Sequence, residues 1–254
     1  MDTRPAYDVM GVGYSATRRE DPRIARAIWD ALGDAMSVAN IGAGTGNYEP
    51  RERKVIAIEP SDVMRAQRRP GSAPAIEGTA EQIPLEDASV DAAMAVLSDQ
   101  HWHDRAAGLT EMLRIARRRV VALTFDERPR EQFWLTRDYL TEYASLRRGR
   151  DPSLYELAVR GTAVIRPVPV PHDCADGFAL AFWRRPAAYL DPAVRAGISI
   201  FHLLDPTHVQ NAMDRLADDL ASGAWAARNR DLLELDELDL GLRLVVWDKD
   251  HDPR

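Results

Sequence analysis

The amino-acid sequence predicts an α/β fold built on a doubly wound, mostly parallel sheet. An apolar run over residues 38–41 ends in a turn with three glycines at alternate positions, and a second apolar run over residues 55–58 ends in an acidic residue. Helical and strand-like patterns then alternate as far as residue 125, which is typical of parallel strands joined by crossover helices. The 254 residues suffice for one such domain with a sizeable insertion.

Local patterns justify each element in turn. Ile24, Ile28 and Leu32 share one helical face behind Pro22, which suits the first turn of a helix. Ser61 is placed to cap the next helix, and short apolar runs between helices indicate buried strands. We therefore predict helices over residues 22–36, 62–68 and 106–115, and strands over residues 37–41, 55–59, 75–77, 90–97 and 120–125.

Three arginines at positions 117–119 follow the last of these helices. Cations near a helix C-terminus are favoured by the helix dipole, so we predict a solvated surface there rather than a nucleic-acid site. The net charge of −7 also argues against a nucleic-acid partner, because such partners favour a basic surface.

The second half of the chain is rich in aromatic residues, proline and arginine. Residues 163–170 look like a strand whose prolines restrict it to a sheet edge, whereas residues 176–230 look mainly helical. Residues 241–247 form another apolar run that is predicted to close the sheet. We therefore divide the chain into an α/β core over residues 1–126, a mainly helical substrate cap over residues 127–239, and a closing strand with its tail over residues 240–254.

The turn after the first predicted strand is the most informative stretch. Gly42, Gly44 and Gly46 can take positive φ and lack a Cβ, so the backbone there can approach a ligand closely. Glu59 lies at the end of the second strand, where an acidic residue of nucleotide-binding α/β folds binds the ribose hydroxyls. Asn47 replaces the third glycine of the dinucleotide fingerprint, so the turn fits G-x-G-x-G better. These features together predict a ligand that carries an adenosine.

Motifs further along the chain narrow the choice of ligand. A polar turn over residues 78–84 precedes the fourth strand, and residues 98–104 follow that strand with the pair His101-Trp102. In this order, the motifs of residues 7–126 resemble the class I S-adenosylmethionine-dependent methyltransferases. The likeness is strongest to the small-molecule group that includes the ubiquinone and menaquinone biosynthesis enzymes. It implies a Rossmann-like methyltransferase fold with a seven-stranded sheet and a helical cap insertion.

The resemblance also implies a cofactor, S-adenosyl-L-methionine (SAM), with S-adenosyl-L-homocysteine (SAH) as its product. The glycine turn would hold the methionine part, Glu59 the ribose, and the residues before the fourth strand the adenine. Tyr7, Tyr14 and Arg18 lie in a segment that often folds over the cofactor in this family. The residues implied in cofactor binding are Tyr14, Asn40, Gly42, Ala43, Gly44, Gly46, Glu59, Pro60, Met64, Ala80, Glu81, Gln82 and Ser98.

Asn40 departs from the family pattern. Family members often have an acidic residue two positions before the first glycine, and this chain has an amide there. An amide can hydrogen-bond the cofactor, but it lacks the charge that would pair with the ammonium group.

Contacts to the methyl acceptor are expected after the fourth strand and in the cap. His101 is a candidate base, because a hydroxyl or protonated nitrogen must lose a proton on methylation. It could instead contact substrate or cofactor, or only hydrogen-bond the backbone beside Trp102. Cap aromatics could stack on a planar or apolar acceptor, although more than half of them are expected to form the cap core. The residues named as substrate contacts are His101, Trp102, Phe133, Trp134, Phe182 and Trp183.

The predicted function is therefore SAM-dependent transfer of a methyl group to an O, N or C atom of a small molecule by in-line displacement. One alternative is a non-catalytic SAM-binding protein. A second alternative is a nicotinamide-dependent oxidoreductase.

Composition sets further expectations. The single cysteine, Cys174, excludes an intrachain disulfide and suits a reducing compartment. We expect no metal site, because the ligands around His172 are crowded and no second pair stands at zinc spacing. Neither the apolar core of a signal peptide nor a long apolar run is present, so we expect a cytoplasmic protein without a membrane span. The oligomeric state is left open.

Overall fold

The computed structural model describes residues 14–143 and 152–249, which place a central sheet between two layers of helices. The described strands are Ser37–Ile41 (β1), Lys54–Ile58 (β2), Ala75–Ile76 (β3), Val90–Val96 (β4), Ala116–Phe125 (β5), Val164–Pro167 (β6), Val170–Pro171 (β7), Glu237–Leu238 (β8) and Leu242–Asp248 (β9). The described α-helices are Tyr14–Thr17 (α1), Pro22–Ala31 (α2), Asp62–Ala66 (α3), Arg105–Ile115 (α4), Glu127–Glu131 (α5), Leu154–Val159 (α6), Pro192–Ala196 (α7), Ser199–Leu203 (α8), Pro206–Ala221 (α9) and Ala224–Arg228 (α10). Short 3₁₀ helices span Asp99–His101, Pro186–Leu190 and Arg230–Glu234, and a short π-helix spans Leu135–Tyr139.

The main sheet has the strand order β3-β2-β1-β4-β5-β9-β6. Neighbouring strands from β3 to β5 pair in parallel, whereas β9 lies antiparallel between β5 and β6. Side chains of β4 alternate between the faces: Ala92 and Met94 pack in the cluster that contains α2, and Ala93 and Ala95 pack in the one that contains α4. The predicted doubly wound, mostly parallel seven-stranded sheet is therefore confirmed.

The direction of winding reverses between β1 and β4, which are neighbours in the sheet but not in the sequence. A crevice forms outside the carboxyl ends of the strands at such a switch point. The glycine turn follows β1, Glu59 follows β2 and Ser98 follows the end of β4. The topology thus brings three predicted cofactor-binding segments to the same edge of the sheet.

Two predicted helices are longer than the observed ones. α2 ends at Ala31 rather than residue 36, because the chain leaves the helix through Gly33, whose φ of 59° is left-handed. α3 ends at Ala66 rather than Arg68.

The interpretation of residues 117–119 as the end of a helix is wrong. α4 ends at Ile115, and Ala116 already has an extended backbone, so the chain enters β5 without a loop. The three arginines lie at the start of that strand, where each pairs with an acidic side chain from a different part of the chain. These partners are Asp91, Asp34 and Asp248.

The predicted strand over residues 163–170 is divided in two. β6 pairs only with β9 at the edge of the main sheet, and β7 pairs with β8 in a separate two-stranded ribbon. Pro167 and Pro169 have no backbone N–H, so a continuous ladder through this segment would lack donors.

Four cap aromatics that were predicted to contact the acceptor lie in the hydrophobic core instead. Phe133, Trp134 and Trp183 are buried, and Phe182 packs against the same cluster. The indole N–H of Trp134 donates to the carbonyl of Trp183 at 2.9 Å, and that of Trp183 donates to the carbonyl of Val170 at 3.0 Å. Trp134 also packs edge-on against three other aromatic rings, and none of the four predicted aromatics belongs to the described lining of the cavity at the strand ends. The rings in question are those of Tyr139, Tyr189 and Trp225.

Within residues 14–143 and 152–249, no helix has the length and apolar character needed to span a membrane. The same ranges contain no group of three or more His, Cys, Asp or Glu side chains arranged to hold a metal ion.

The side chain of Asp91, near the start of β4, forms hydrogen bonds with residues at the starts of β1 and β5. Its Oδ2 accepts from the backbone N–H groups of Met36 and Ser37, at 3.0 and 2.9 Å, and its Oδ1 accepts from Arg117. The Ser37 backbone donor comes first among the causes that lower the pKa of Asp91 to about 2. We expect Asp91→Ala to lower the free energy of unfolding at pH 7 by about 1 to 2 kcal/mol, after allowing for solvent screening.

The effect of Asp91 has a definite pH dependence. Because the folded-state pKa is depressed, the stabilisation is complete above the unfolded value of about 4 and is lost as the pH falls toward 2. Urea unfolding at pH 7 and at several values below 4 measures the difference between variant and wild type. Asp87→Ala, which removes an exposed partner of Arg114, serves as the control and should change stability little. A difference for Asp91→Ala that does not shrink with pH would contradict the prediction.

Candidate functional site

A cavity of about 400 Å³ opens at the carboxyl ends of β1, β2 and β4. Its lining comes from the turn after β1, the residues between β2 and α3, the turn at residues 79–81, and the segment after β4. Two side chains from the N-terminal part of the chain, Tyr14 and Arg18, complete the described lining. Residues distant in sequence thus form one pocket at the switch point of the sheet.

The glycine turn is folded back onto the end of β2. The backbone N–H groups of Gly42 and Ala43 both donate to the carbonyl of Ile58, at 2.9 and 3.0 Å. Gly42 has a φ of 66°, and a Cβ on it would lie 2.6 Å from Cβ of Ser98. Ser98 is itself held by a hydrogen bond from its hydroxyl to the carbonyl of Ile41, at 2.9 Å. A side chain at position 42 therefore has neither a relaxed backbone nor room.

Glu59 is buried and points its carboxylate at the cavity in a fixed orientation. Its Oε2 accepts from the backbone N–H of Gly44 at 2.7 Å, and its Oε1 accepts from that of Ser61 at 2.9 Å. Burial raises the pKa of Glu59, and the two backbone donors oppose that shift. Each oxygen retains a lone pair that can accept from a hydroxyl of a ligand.

Residues after Glu59 form the adjoining wall. Ser61 caps α3 by accepting from the backbone N–H of Met64, which brings Pro60 and Met64 to the cavity. A Cβ on Gly44 would lie 3.2 Å from Cε of Met64, so the missing side chain leaves space between the turn and this methyl group. This arrangement gives a slot with an apolar wall beside an anchored carboxylate.

Asn40 and Gly46, both predicted to bind cofactor, do not line the cavity. The amide of Asn40 donates to Glu49 at 3.1 Å, and Glu49 forms a buried ion pair with Arg68 at 2.7 Å. Arg68 in turn donates to the carbonyl of Gly44 at 3.0 Å, so Asn40 supports the turn from behind. Gly46 has a left-handed φ of 88°, and a Cβ on it would lie 2.6 Å from the hydroxyl of Ser72, so backbone conformation and packing both account for this glycine.

The segment after β4 places His101 and Trp102 in the lining. Leu97 takes a φ of 52°, an uncommon conformation for leucine, and turns the chain into the short 3₁₀ helix Asp99–His101. The ring of Trp102 packs directly on α4, where a Cβ on Gly108 would lie 2.6 Å from it. The local backbone thus aims this segment at the cavity.

Glu81 has two roles in the structure. It lines the cavity, and its Oε1 also accepts from the backbone N–H groups of His103 and Asp104, at 2.7 and 3.1 Å. Gln82, predicted beside it as a cofactor contact, is exposed and lies outside the lining. The chain reverses between Thr79 and Gln82, and this turn directs Gln82 to solvent.

Tyr14 and Arg18 reach the cavity from the N-terminal side, whereas Tyr7 lies outside the described residues. Arg18 is buried and forms an ion pair with Asp176 at 2.7 Å. Tyr48, which follows the glycine turn, donates its hydroxyl to the same carboxylate at 2.9 Å. Asp176 belongs to the second half of the chain, so this part of the lining depends on a contact across 158 residues.

Two buried polar atoms of the lining lack a hydrogen-bond partner in the described part of the chain. They are the hydroxyl oxygen of Thr45 and the carbonyl oxygen of the Asn47 side chain. Buried polar atoms are rarely left unpaired, so a ligand that donates hydrogen bonds would suit this wall.

Several lining residues could not be predicted from a sequence motif. Thr45, Tyr48 and Leu97 carry no motif of their own, although they directly flank motif residues. Most of the predicted cofactor residues lie together in the lining of the cavity. They are Tyr14, Gly42, Ala43, Gly44, Glu59, Pro60, Met64, Ala80, Glu81 and Ser98.

Comparison with known proteins places this arrangement in a family. Residues 39–123 match the model of a methyltransferase domain. The structure also matches a candidate methyltransferase from an antibiotic biosynthesis pathway of Anabaena variabilis, with a TM-score of 0.82 and 35% identity over 90% of this chain and 98% of that one. The chain belongs to the class I SAM-dependent methyltransferases. Membership in this family decides against the alternative of a nicotinamide-dependent oxidoreductase.

One further relative agrees with this family, and one further solved structure shares its fold. An uncharacterized methyltransferase of Mycobacterium tuberculosis is 40% identical over 97 residues, which are 35% of this chain and 39% of that protein. The chain thus aligns with about two fifths of the length of these curated relatives. A phosphoethanolamine N-methyltransferase of Haemonchus contortus has the same fold, with a TM-score of 0.51 and 14% identity over 91% of this chain and 53% of that one.

The family's cofactor is SAM, and the lining of the cavity in this chain fits it. An anchored carboxylate after β2, a glycine turn without side chains, and unpaired polar atoms on Thr45 and Asn47 suit a nucleoside with hydroxyl and amino donors.

Proposed function

We propose that this protein transfers a methyl group from SAM to an O, N or C atom of a small molecule. The observation that carries the proposal is a single cavity shared by two sets of residues. One set is the glycine turn with Glu59, and the other is His101 with Trp102. A cofactor bound by the first set would lie in the same cavity as an acceptor that contacts the second set.

The lining suggests which residues would hold the cofactor. Glu59 would accept from the ribose hydroxyls, since each of its oxygens is already oriented by a backbone donor. Met64 and Ala80 would provide apolar surface for the adenine, with Glu81 beside it. SAM, when bound, supplies a methyl group that is already activated by a sulfonium.

The remaining work of the protein is alignment and exclusion of water. Val96, Leu97 and Trp102 are apolar lining residues that keep water from the acceptor side. His101 would take the proton from a hydroxyl or ammonium acceptor. A carbon acceptor that is acidic enough to lose its proton before it binds would need no such base.

For the acceptor we propose a small planar ring. The support is the likeness to the ubiquinone and menaquinone biosynthesis group, the antibiotic pathway of the Anabaena variabilis relative, and the ring surface of Trp102 in the cavity. We also propose that residues 127–239 act as a substrate cap beside this cavity, because Asp176 from that segment contacts Arg18 and Tyr48.

The test is a methyl-transfer assay with the purified full chain, SAM, and a panel of phenols, quinols, arylamines and flat carboxylic acids. Formation of SAH together with a product heavier by one methylene unit, detected by mass spectrometry, supports the proposal. Tight binding of SAM without turnover on any acceptor class would favour a non-catalytic SAM-binding protein instead.

Replacing His101 tests the proposed base. With an O- or N-acceptor, we expect His101→Gln to lower the turnover number by at least about 100-fold, because positioned general bases contribute that much. The affinity for SAH, measured by calorimetric titration, should remain within about threefold, which is below 1 kcal/mol. His208→Gln, an exposed histidine on α9, is the matched control. A loss of SAH affinity in His101→Gln with unchanged turnover would assign His101 to cofactor binding.

A further inference from the structure

Asp176 is a fully buried carboxylate at the centre of a polar network, although it lies outside the cavity lining. It accepts from Nε and Nη2 of Arg18 at 2.7 and 3.2 Å, and from the hydroxyl of Tyr48 at 2.9 Å. The backbone N–H groups of Arg19 and Gly177 also donate to it, at 3.2 and 2.7 Å. A carboxylate with this set of donors has one orientation, and it imposes that orientation on its partners.

Both side-chain partners of Asp176 face the cofactor cavity. Of the lining residues that the structure describes, Arg18 is the one arginine or lysine. Its guanidinium is held by the Nε–Nη2 edge, so Nη1 is directed to the hydroxyl of Tyr14, another lining residue. Tyr48 has a left-handed φ of 66°, a backbone conformation that is uncommon for tyrosine and persists only where surrounding contacts hold it.

Close packing also joins the second half of the chain to α1. A Cβ on Gly177 would lie 2.5 Å from the carbonyl oxygen of Thr17 in α1. A Cβ on Gly197 would collide with the hydroxyl of Thr17. Two glycines of the second half thus let α1 lie directly against it, next to the ion pair of Arg18 with Asp176.

The carboxylate of SAM and SAH is the anionic group of these ligands, and a lining guanidinium attracts it. We propose that Asp176 is a positioning residue: from the second half of the chain it orients Arg18 and Tyr48, so that the amino-acid part of the cofactor binds only while residues 174–177 are docked on α1. This inference rests on the proposed function. It makes cofactor binding dependent on the proposed cap.

The test compares two ligands that share the adenosine and differ in the amino-acid part. Calorimetric titrations with SAH and with 5′-methylthioadenosine are made on wild type and on Asp176→Asn. Because Arg18 loses a charged hydrogen-bond partner, we expect the Kd for SAH to rise at least about tenfold. The Kd for 5′-methylthioadenosine should change by less than about twofold. A purely structural role for Asp176 would weaken both ligands alike, and that result would overturn the inference.

Two more variants keep the test decisive. Asp173→Asn is the control, because Asp173 is exposed and pairs with Arg23 away from the lining. Tyr48→Phe removes a single oxygen from a buried ring, so it answers the question even when Asp176→Asn does not fold. It should weaken SAH selectively, and an unchanged Kd for SAH in Tyr48→Phe would also overturn the inference.

Failure of the inference and failure of the proposed function give different results. When wild type binds neither ligand, the proposed function fails. When wild type binds SAH and Asp176→Asn binds it equally well, only the role of Asp176 is refuted. An Arg18→Met variant completes a double-mutant cycle, in which the effects of the two substitutions on SAH should not add because Asp176 acts through Arg18.

Discussion

Replacing Glu59 with alanine should raise the Kd for SAM and for SAH by about 10²- to 10⁴-fold. The carboxylate is buried and each oxygen is oriented by one backbone N–H, so it presents two charged acceptors in one geometry. Losing charged hydrogen bonds to two ribose hydroxyls costs about 3 to 6 kcal/mol of binding free energy. Calorimetric titration of both ligands into wild type and Glu59→Ala measures the loss.

Two variants show whether the carboxylate itself is responsible. Glu59→Gln keeps the size of the side chain but replaces one acceptor by a donor, and it should lose most of the affinity. Glu77→Ala removes an exposed carboxylate just after β3 and should leave the Kd unchanged. Tight binding by Glu59→Ala would mean that the cofactor does not contact this strand end.

The pH profile of binding gives the same variants a second readout. Burial raises the pKa of Glu59, so its carboxylate takes up a proton at a higher pH than an exposed glutamate does. The affinity for SAH should therefore fall as the pH drops through this raised pKa, because the protonated group accepts fewer hydrogen bonds. Glu59→Gln cannot titrate, and its weaker binding should show a flatter profile.

Gly42→Ala is expected to destabilise the protein by about 3 kcal/mol and to abolish measurable SAH binding. One part of the cost is the φ of 66°, which an alanine occupies at a penalty of about 1 to 2 kcal/mol. The other part is the new Cβ, which would lie 2.6 Å from Cβ of Ser98 and force the end of β4 away from the turn. Urea unfolding and calorimetric titration measure the two effects.

Gly71→Ala separates the two parts of this cost. Gly71 also has a left-handed φ, 87°, but a Cβ on it would meet nothing within 4 Å. It should therefore lose only about 1 kcal/mol and keep full affinity for SAH. Equal destabilisation by both substitutions would show that the clash of the new Cβ at position 42 with Ser98 does not contribute to the loss of stability.

Much of the fold could be predicted because its signals are local. The glycine turn follows a short apolar run, Glu59 ends the next run, and a parallel sheet is the arrangement that alternating elements of this kind adopt. The strand ends then meet at the switch point of the sheet whatever the details of packing. Boundaries were less certain, as Ala116 shows, because the chain passes from helix into strand there without a turn residue to mark the change.

The role of an individual side chain was harder to predict where that role depends on the direction in which the side chain points. Asn40 stands in the motif, yet its amide turns toward Glu49 and the ion pair with Arg68. Trp134 and Trp183 have the composition of a stacking surface, but their N–H groups and ring faces are used within the core. Composition specifies which contacts a side chain can make, and only its surroundings decide which of them it makes.

The sequence by itself determined the order of the strands along the chain, the glycine turn and the acidic residue that follows β2, because neighbouring residues set these features. Only the tertiary structure decided that Asp176 meets Arg18 and Tyr48, which lie 158 and 128 residues away from it. No local pattern encodes such a contact. It exists because the hydrophobic core packs the second half of the chain against α1, and because a buried carboxylate must find donors there.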